Sequence, residues 1–375
     1  MINLADILQR ADVGIGPCGH LFGQYETVRG KSLPAQSTVG RSAVMEQRVR
    51  ISDIAEELGL STATVSNVIH GKTRKISDET VQRVQYALEQ RQYIPSMAGI
   101  LLAQNSSKII GVFVNDHEKY EGHTLEDAFL SAALNALSDQ IEACGQFMMV
   151  KKARNPQEIL KFASMWNMDG LVVIGFCQQD YMYLRNHMRI PFVVYDGFCE
   201  NPERIVNLTI DNFDGGRQVG ELFRRTGHRR ALCVSDNETG VDQERMDGFR
   251  EGFGSAEIMV VPMERQARRA FYRREIRRFR EVTAVFAVSD LYAADLMGFL
   301  MENGFAVPGD ISVAGFDDTP LCELVYPALT SVRQDCALRA KLAMEKLREL
   351  KAGRDVEPTV LLPVTLILRD STRNE

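Results

Sequence analysis

Side chains able to read a polynucleotide are gathered between Ser61 and Lys75. Thr62, Ala63, Ser66, Asn67 and His70 recur on one side of this stretch, small or polar and without an evident packing role. Hydroxyl and amide groups at that spacing suit base edges in a DNA major groove, where asparagine matches adenine N6 and N7 while arginine would match guanine O6 and N7. Lys72, Arg74 and Lys75 follow directly and would touch phosphates, contacts that hold register without reading sequence. Catalytic chemistry has no comparable arrangement. There is no G-x-S-x-G, no histidine or cysteine with a positioned partner, and the six histidines are scattered. An enzyme is the competing class, and turnover of a candidate small molecule would be its evidence.

Those side chains need two short helices to hold them. In Ile51 to Gly71, ISDIAEELGLSTATVSNVIHG, Ser52 is placed to cap a first helix along which Ile54, Ala55 and Leu58 recur before Gly59 breaks it. Ser61 is placed to cap a second helix with Val65, Val68 and Ile69 inward and Thr64 in its first turn. Ser77 and Asp78 open a third, in which Val81, Val84 and Leu88 close the core. This is the pattern of a helix-turn-helix.

The chain of 375 residues has room for two or three domains. Its net charge of -6 gives no global basic field for nucleic acid, and seven Lys/Arg balance seven Asp/Glu between Met45 and Ser107. DNA affinity must then come from the placement of a few cations and helix N-termini. Seven cysteines stand singly with no C-x-x-C, which points to reduced thiols in a cytoplasm, without a disulfide framework, metal site or cofactor. No apolar run reaches the length of a membrane span, and the N-terminus lacks a secretion pattern. GIGPCG from Gly14 to Gly19 is formally a G-x-G-x-x-G, but Pro17 interrupts it and no strand precedes it, so it is not read as a nucleotide loop. Cys18 and His20 form a lone C-x-H of no consequence.

The motifs IxDIAxxLGLSxxTVSxVIxG, ISxETxxRV and YIPS, in order from Ile51 to Ser96, resemble the DNA-binding headpiece of the LacI/GalR family of bacterial transcriptional regulators. The likeness continues through DNFDGGRQVGELFRRTGHRR, ERMDGFREGF, VSDLYAADLMGFL, GFDD, YPALTSVRQD and LILRDST, and covers nearly nine-tenths of the chain. It implies a small all-α helix-turn-helix headpiece and an α/β two-subdomain effector domain like the periplasmic binding proteins. The implied divisions are 1–44, a disordered extension or misassigned start with translation beginning at Met45; 45–93, the headpiece; 94–107, a hinge helix; and 108–375, the effector and dimerisation domain. The hinge implies DNA contacts from Ser96, Gly99 and Leu102, with Leu102 wedged in the minor groove. Gly99 departs from the usual alanine at a cost of about 1 kcal/mol in helix propensity.

The family further implies a homodimer on a palindromic operator, a repressor of carbohydrate-utilisation genes, and a small-molecule effector, a sugar or sugar derivative, in the cleft between subdomains. That cleft would be ringed by the loops after Val114, Ile174, Tyr195, Val288 and Phe316, at the carboxyl ends of strands. Arg245, Asp290 and Asp317 match effector-binding positions, while Phe129 and Phe176 are candidates to stack on a sugar ring, with core packing the favoured role for both, and Trp166 is expected to pack. Arg265 to Arg280 holds eight arginines in sixteen residues and is expected to form a solvated helix face.

Overall fold

The computed structural model describes residues 49–93, 106–197, 199 and 205–373, and the chain divides at residues 94/95 into two compact units. Residues 1–44, Met45, and the hinge residues Ser96, Gly99 and Leu102 lie outside the described residues.

The first unit holds α1 (Ile51–Leu58), α2 (Thr62–Ile69) and α3 (Asp78–Gln90). Asp53 accepts the Arg50 backbone N–H at 2.8 Å, which places the cap of α1 at Arg50 and leaves Ser52, the expected cap, inside the first turn. A carboxylate three residues into a helix satisfies a donor that the serine would otherwise have to satisfy. Gly59, at φ 65°, ends α1 with its N–H on Ala55 and Glu56 carbonyls, a left-handed turn that a side chain would strain. Ser61 and Ser77 cap α2 and α3 as expected, accepting from Thr64 and Thr80 N–H at 3.1 and 3.3 Å. Ile54, Ala55, Val65, Val68, Val84 and Ala87 form the core, with Val81, Leu88 and Ile69 half-buried around it.

The second unit contains two six-stranded sheets. One runs β11 (Thr359–Leu362), β5 (Val206–Ile210), β4 (Phe192–Tyr195), β3 (Gly170–Ile174), β1 (Ile109–Asn115), β2 (Phe147–Ala153). The other runs β12 (Val364–Ile367), β10 (Thr330–Gln334), β9 (Ser312–Asp317), β8 (Ala284–Ala287), β6 (Ala231–Ser235), β7 (Glu257–Val260). All pairings are parallel except β10 with β12. Central segments such as GLVVI, FVVY and ALCVS are apolar throughout because helices bury both faces of a parallel sheet.

On one face of the first sheet lie α4 (Ala128–Ala143) and α13 (Cys336–Lys351), on the other α5 (Pro156–Met165) and α6 (Gln178–His187). The second sheet is packed by α7 (Asn212–Arg225), α8 (Gly240–Phe253), α9 (Arg265–Arg274), the short α10 (Ile276–Phe279), α11 (Asp290–Glu302) and α12 (Leu321–Leu324). The chain passes between sheets three times, after Ile210, Gln334 and Leu362.

Two expectations need correction. Trp166 is 46% exposed at the end of α5, touching Phe162 at a ring distance of 6.3 Å, because the helix stops there and turns it outward. The arginine run is not a uniformly solvated face. Arg268 is 3% exposed, and Arg265, Arg268 and Arg269 converge on Asp295 of α11 at 3.0–3.1 Å, with Arg269 also on Glu302. A carboxylate on a neighbouring helix turns one side of the run inward.

Candidate functional site

On α2, Thr62, Ala63 and Asn67 are exposed, whereas Ser66 and His70 are half-buried. Ser61 and Thr64 hydroxyls hydrogen-bond each other at 2.8 Å, so Thr64 serves the cap as well as facing outward. His70 ends the helix, and the Asn67 backbone carbonyl accepts the Lys72 N–H at 2.8 Å. Arg83 and Arg91 are engaged with the Leu58 carbonyl and Glu57 at 3.1 and 2.8 Å. Lys72, Arg74 and Lys75 are exposed.

In the second unit, loops from the carboxyl ends of both sheets come together. Arg245 on α8 is 4% exposed; its Nε donates to Asn212 Oδ1 at 2.9 Å and its Nη1 to the Val288 carbonyl at 2.7 Å, while its guanidinium lies 3.9 Å from the Phe316 ring centroid. Asp317 stands 3.8 Å from Arg245 and accepts from Gln334 Nε2 at 2.8 Å. Its backbone, at φ 111°, is in the left-handed region that an aspartate adopts only when its surroundings hold it there. Burial pushes the Asp317 carboxyl well above the usual carboxylate range; Asp290, Asp196 and Asp127 push the same way and Arg245 opposes them.

Asp290 has a different environment. It accepts from Thr319 N–H at 2.7 Å, Thr319 hydroxyl at 3.0 Å and Ser331 hydroxyl at 2.5 Å, and is 1% exposed. With its oxygens so occupied it fixes the loop after β9 and thereby Asp317. Phe129 and Phe176 are not brought together. Phe129 is half-buried in the first turn of α4 on one face of the first sheet; Phe176, 5% exposed, packs in the cluster on the other. Phe176 thus packs in the core, the role the sequence favours for it.

Several cleft residues escaped the sequence reading. Asp196, at φ 59° after β4, receives Arg339 Nη1 at 3.1 Å, and Arg339 is 1% exposed with its guanidinium 4.9 Å from the Tyr195 ring. Lys119, in the loop after β1, is exposed, with its ammonium 5.1 Å from the Tyr120 ring centroid. Asp236 accepts the Tyr292 hydroxyl at 2.5 Å. Across the two sheets' loops, Arg265 N–H donates to Glu121 at 2.8 Å. The only signal for Asp196 was its place after a buried strand, and nothing in QDCALRA marked Arg339 as buried.

Residues 50–96 match the family model described as bacterial regulatory proteins, lacI family, and residues 221–372 match the periplasmic binding protein-like domain. The HTH-type transcriptional repressor PurR of Mannheimia succiniciproducens is 28% identical over 86% of this chain and 98% of its own. The HTH-type transcriptional regulator CelR of Thermobifida fusca is 26% identical over 87% and 100%. Among solved structures, the Lac repressor dimer bound to operator and the anti-inducer ONPF superposes with a TM-score of 0.74 at 23% identity, covering 87% of this chain and 99% of that one. The CelR–cellobiose complex gives 0.63 at 23%, covering 86% and 100%. Headpiece motif, two-sheet domain and full-length relatives agree: the first unit is similar to the DNA-binding domain of the lacI family of bacterial regulatory proteins, and the second to the periplasmic binding protein-like domain.

Proposed function

We propose that this protein is a cytoplasmic, ligand-responsive transcriptional repressor that binds a palindromic operator as a homodimer, its affinity set by a small molecule held between the two sheets. The observation that carries this reading is the capped, outward polar face of α2, Thr62, Ala63 and Asn67, on a chain whose second unit gathers Arg245, Asp317 and Asp196 at strand ends. In this reading Ser61, Thr62, Ala63, Thr64, Ser66, Asn67, His70 and Lys72 serve DNA, joined by Ser96, Gly99 and Leu102. Arg245 and Asp317 meet the effector, Asp290 supports them, and Phe129 borders the site. The chemistry is binding and not turnover. A carbohydrate effector is supported by the cellobiose complex of CelR and by the ribose-bound structure of a LacI family regulator from Enterococcus faecium.

Effector binding would change how the two sheets are disposed, and with it operator affinity, by a coupling of about 1–3 kcal/mol. Selection from random DNA followed by a salt titration tests the reading. A two-fold symmetric site is expected, with log K falling against log salt by about 0.9 per phosphate neutralised. Weak binding without symmetry would overturn it.

A further inference from the structure

Each sheet with its helices forms one lobe of the second unit, and a single hydrogen bond joins loops at the carboxyl ends of the two. Glu121, in the loop after β1 of the first sheet, accepts the backbone N–H of Arg265, where α9 begins after β7 of the second. The bond measures 2.8 Å and ties lobe to lobe at the level of the cleft. Its acceptor is braced from its own side. Lys152 Nζ donates to the Gly122 carbonyl at 3.3 Å, while Asp116 accepts the Thr124 hydroxyl at 2.6 Å and pairs with Lys152 at 2.9 Å. Between these braces Glu121 sits at φ 51°, a left-handed backbone that a glutamate keeps only where its surroundings impose it.

The donor is equally fixed. Arg265, Arg268 and Arg269 hold the start of α9 to Asp295 of α11 at 3.0–3.1 Å. Helix starts leave four N–H groups without partners inside the helix, and here three are met locally. The Glu264 carboxylate accepts from Gln266 and Ala267 N–H at 2.9 and 2.6 Å, and the Glu264 carbonyl from Arg268 N–H at 2.8 Å. The fourth, Arg265 N–H, goes to Glu121 of the other lobe. A carboxylate is the favoured partner at the positive end of a helix.

We propose that Glu121 and the amino end of α9 form a latch that biases the two lobes toward the closed arrangement described here before any effector arrives. When the lobes part, the Arg265 N–H passes to water, so the latch weights the equilibrium without locking it. One carboxylate at an exposed helix start shifts such a balance by about two- to fivefold. The regulatory meaning rests on the reading of this cleft as the effector site. There, part of the closing is done in advance, and breaking the latch weakens effector binding by no more than the same factor.

The latch is testable without a ligand. Spin labels carried by unnatural residues at the exposed positions Glu126 and Arg273, one on each lobe, report lobe separation by pulsed dipolar spectroscopy of the full chain. Dilution with unlabelled chain keeps the distances within one molecule. Arg265→Pro removes the N–H at the first position of the helix, where proline fits, and Glu264 before it is already extended at ψ 131°. Arg265→Ala removes the same side chain and keeps the N–H, so the two variants differ in the latch.

The proline variant is expected to show a wider separation, its closed-to-open ratio about two- to fivefold below that of the alanine variant, and Glu121→Ala the same shift against wild type. Coincident distributions within either pair would overturn the proposal. Should the proline variant fail to fold, Glu121→Ala, at an exposed position, decides alone. Operator binding by the same wild-type preparation keeps the two readings apart: its absence counts against the regulator and leaves the lobe separation to be judged on its own.

Discussion

Asn67 offers the sharpest test at the scale of one residue. It is exposed on α2, and a carboxamide there can form two hydrogen bonds to an adenine edge. DNA selection with Asn67→Arg should exchange a preferred A for G at one position of each half-site, and Asn67→Ala should flatten that position at a cost of about 1–3 kcal/mol. An unchanged profile in both variants would remove Asn67 from the interface. His228 makes a different prediction. Its ring lies between Thr283 and Ser312 hydroxyls at 2.8 and 3.1 Å, and burial, with Arg373 adding, lowers its pKa to about 4. Between that value and the ordinary 6.5 the unfolded chain holds a proton that the folded one excludes, so stability falls as pH drops through this window. Thermal melts of His228→Gln, whose amide can still bond both hydroxyls, should be flatter than wild type from pH 6.5 to 4.

At the scale of elements, α7 and α8 cross with their backbones in contact, and this crossing sets Arg245 in place. A Cβ on Gly216 would lie 2.0 Å from the Arg245 carbonyl oxygen, and one on Gly248 1.8 Å from that of Phe213. Gly248→Ala must part the helices and is expected to cost about 3 kcal/mol in denaturant unfolding, against a near-neutral or slightly stabilising Gly298→Ala, whose nearest neighbour is the flexible end of Arg269 at 3.4 Å. Equal effects would mean the crossing is soft. The glycines of DGGRQVG and ERMDGF stood in plain view, but their spacing does not say which helix they meet. The headpiece was legible for the opposite reason: its caps, its Gly59 turn and its apolar spacing act within a few residues. Buried strands were legible as unbroken apolar runs. Asp196 with Arg339, or Arg268 with Asp295, join residues remote in the chain, and no local pattern records such a meeting.

For the whole molecule, the two units differ in what holds each together. The first has a core of six buried residues, all its own, whereas the second contains three clusters spread over two sheets. A core that small supplies no more than about 3–5 kcal/mol, while burial grows with chain size, so the headpiece should open first. Calorimetry of the full chain is expected to show two transitions. Binding to the folded form alone stabilises it by RT ln(1 + [L]/Kd), about 2.7 kcal/mol at a hundredfold excess over Kd. Operator DNA should therefore raise the lower transition, and a cleft ligand the upper one. The headpiece is electrically balanced, seven cations to seven acids from Met45 to Ser107, so the DNA shift should shrink with salt through the few phosphate contacts of Lys72, Arg74 and Lys75 and not through a bulk field. A single transition displaced equally by both ligands would mean that the two units melt as one.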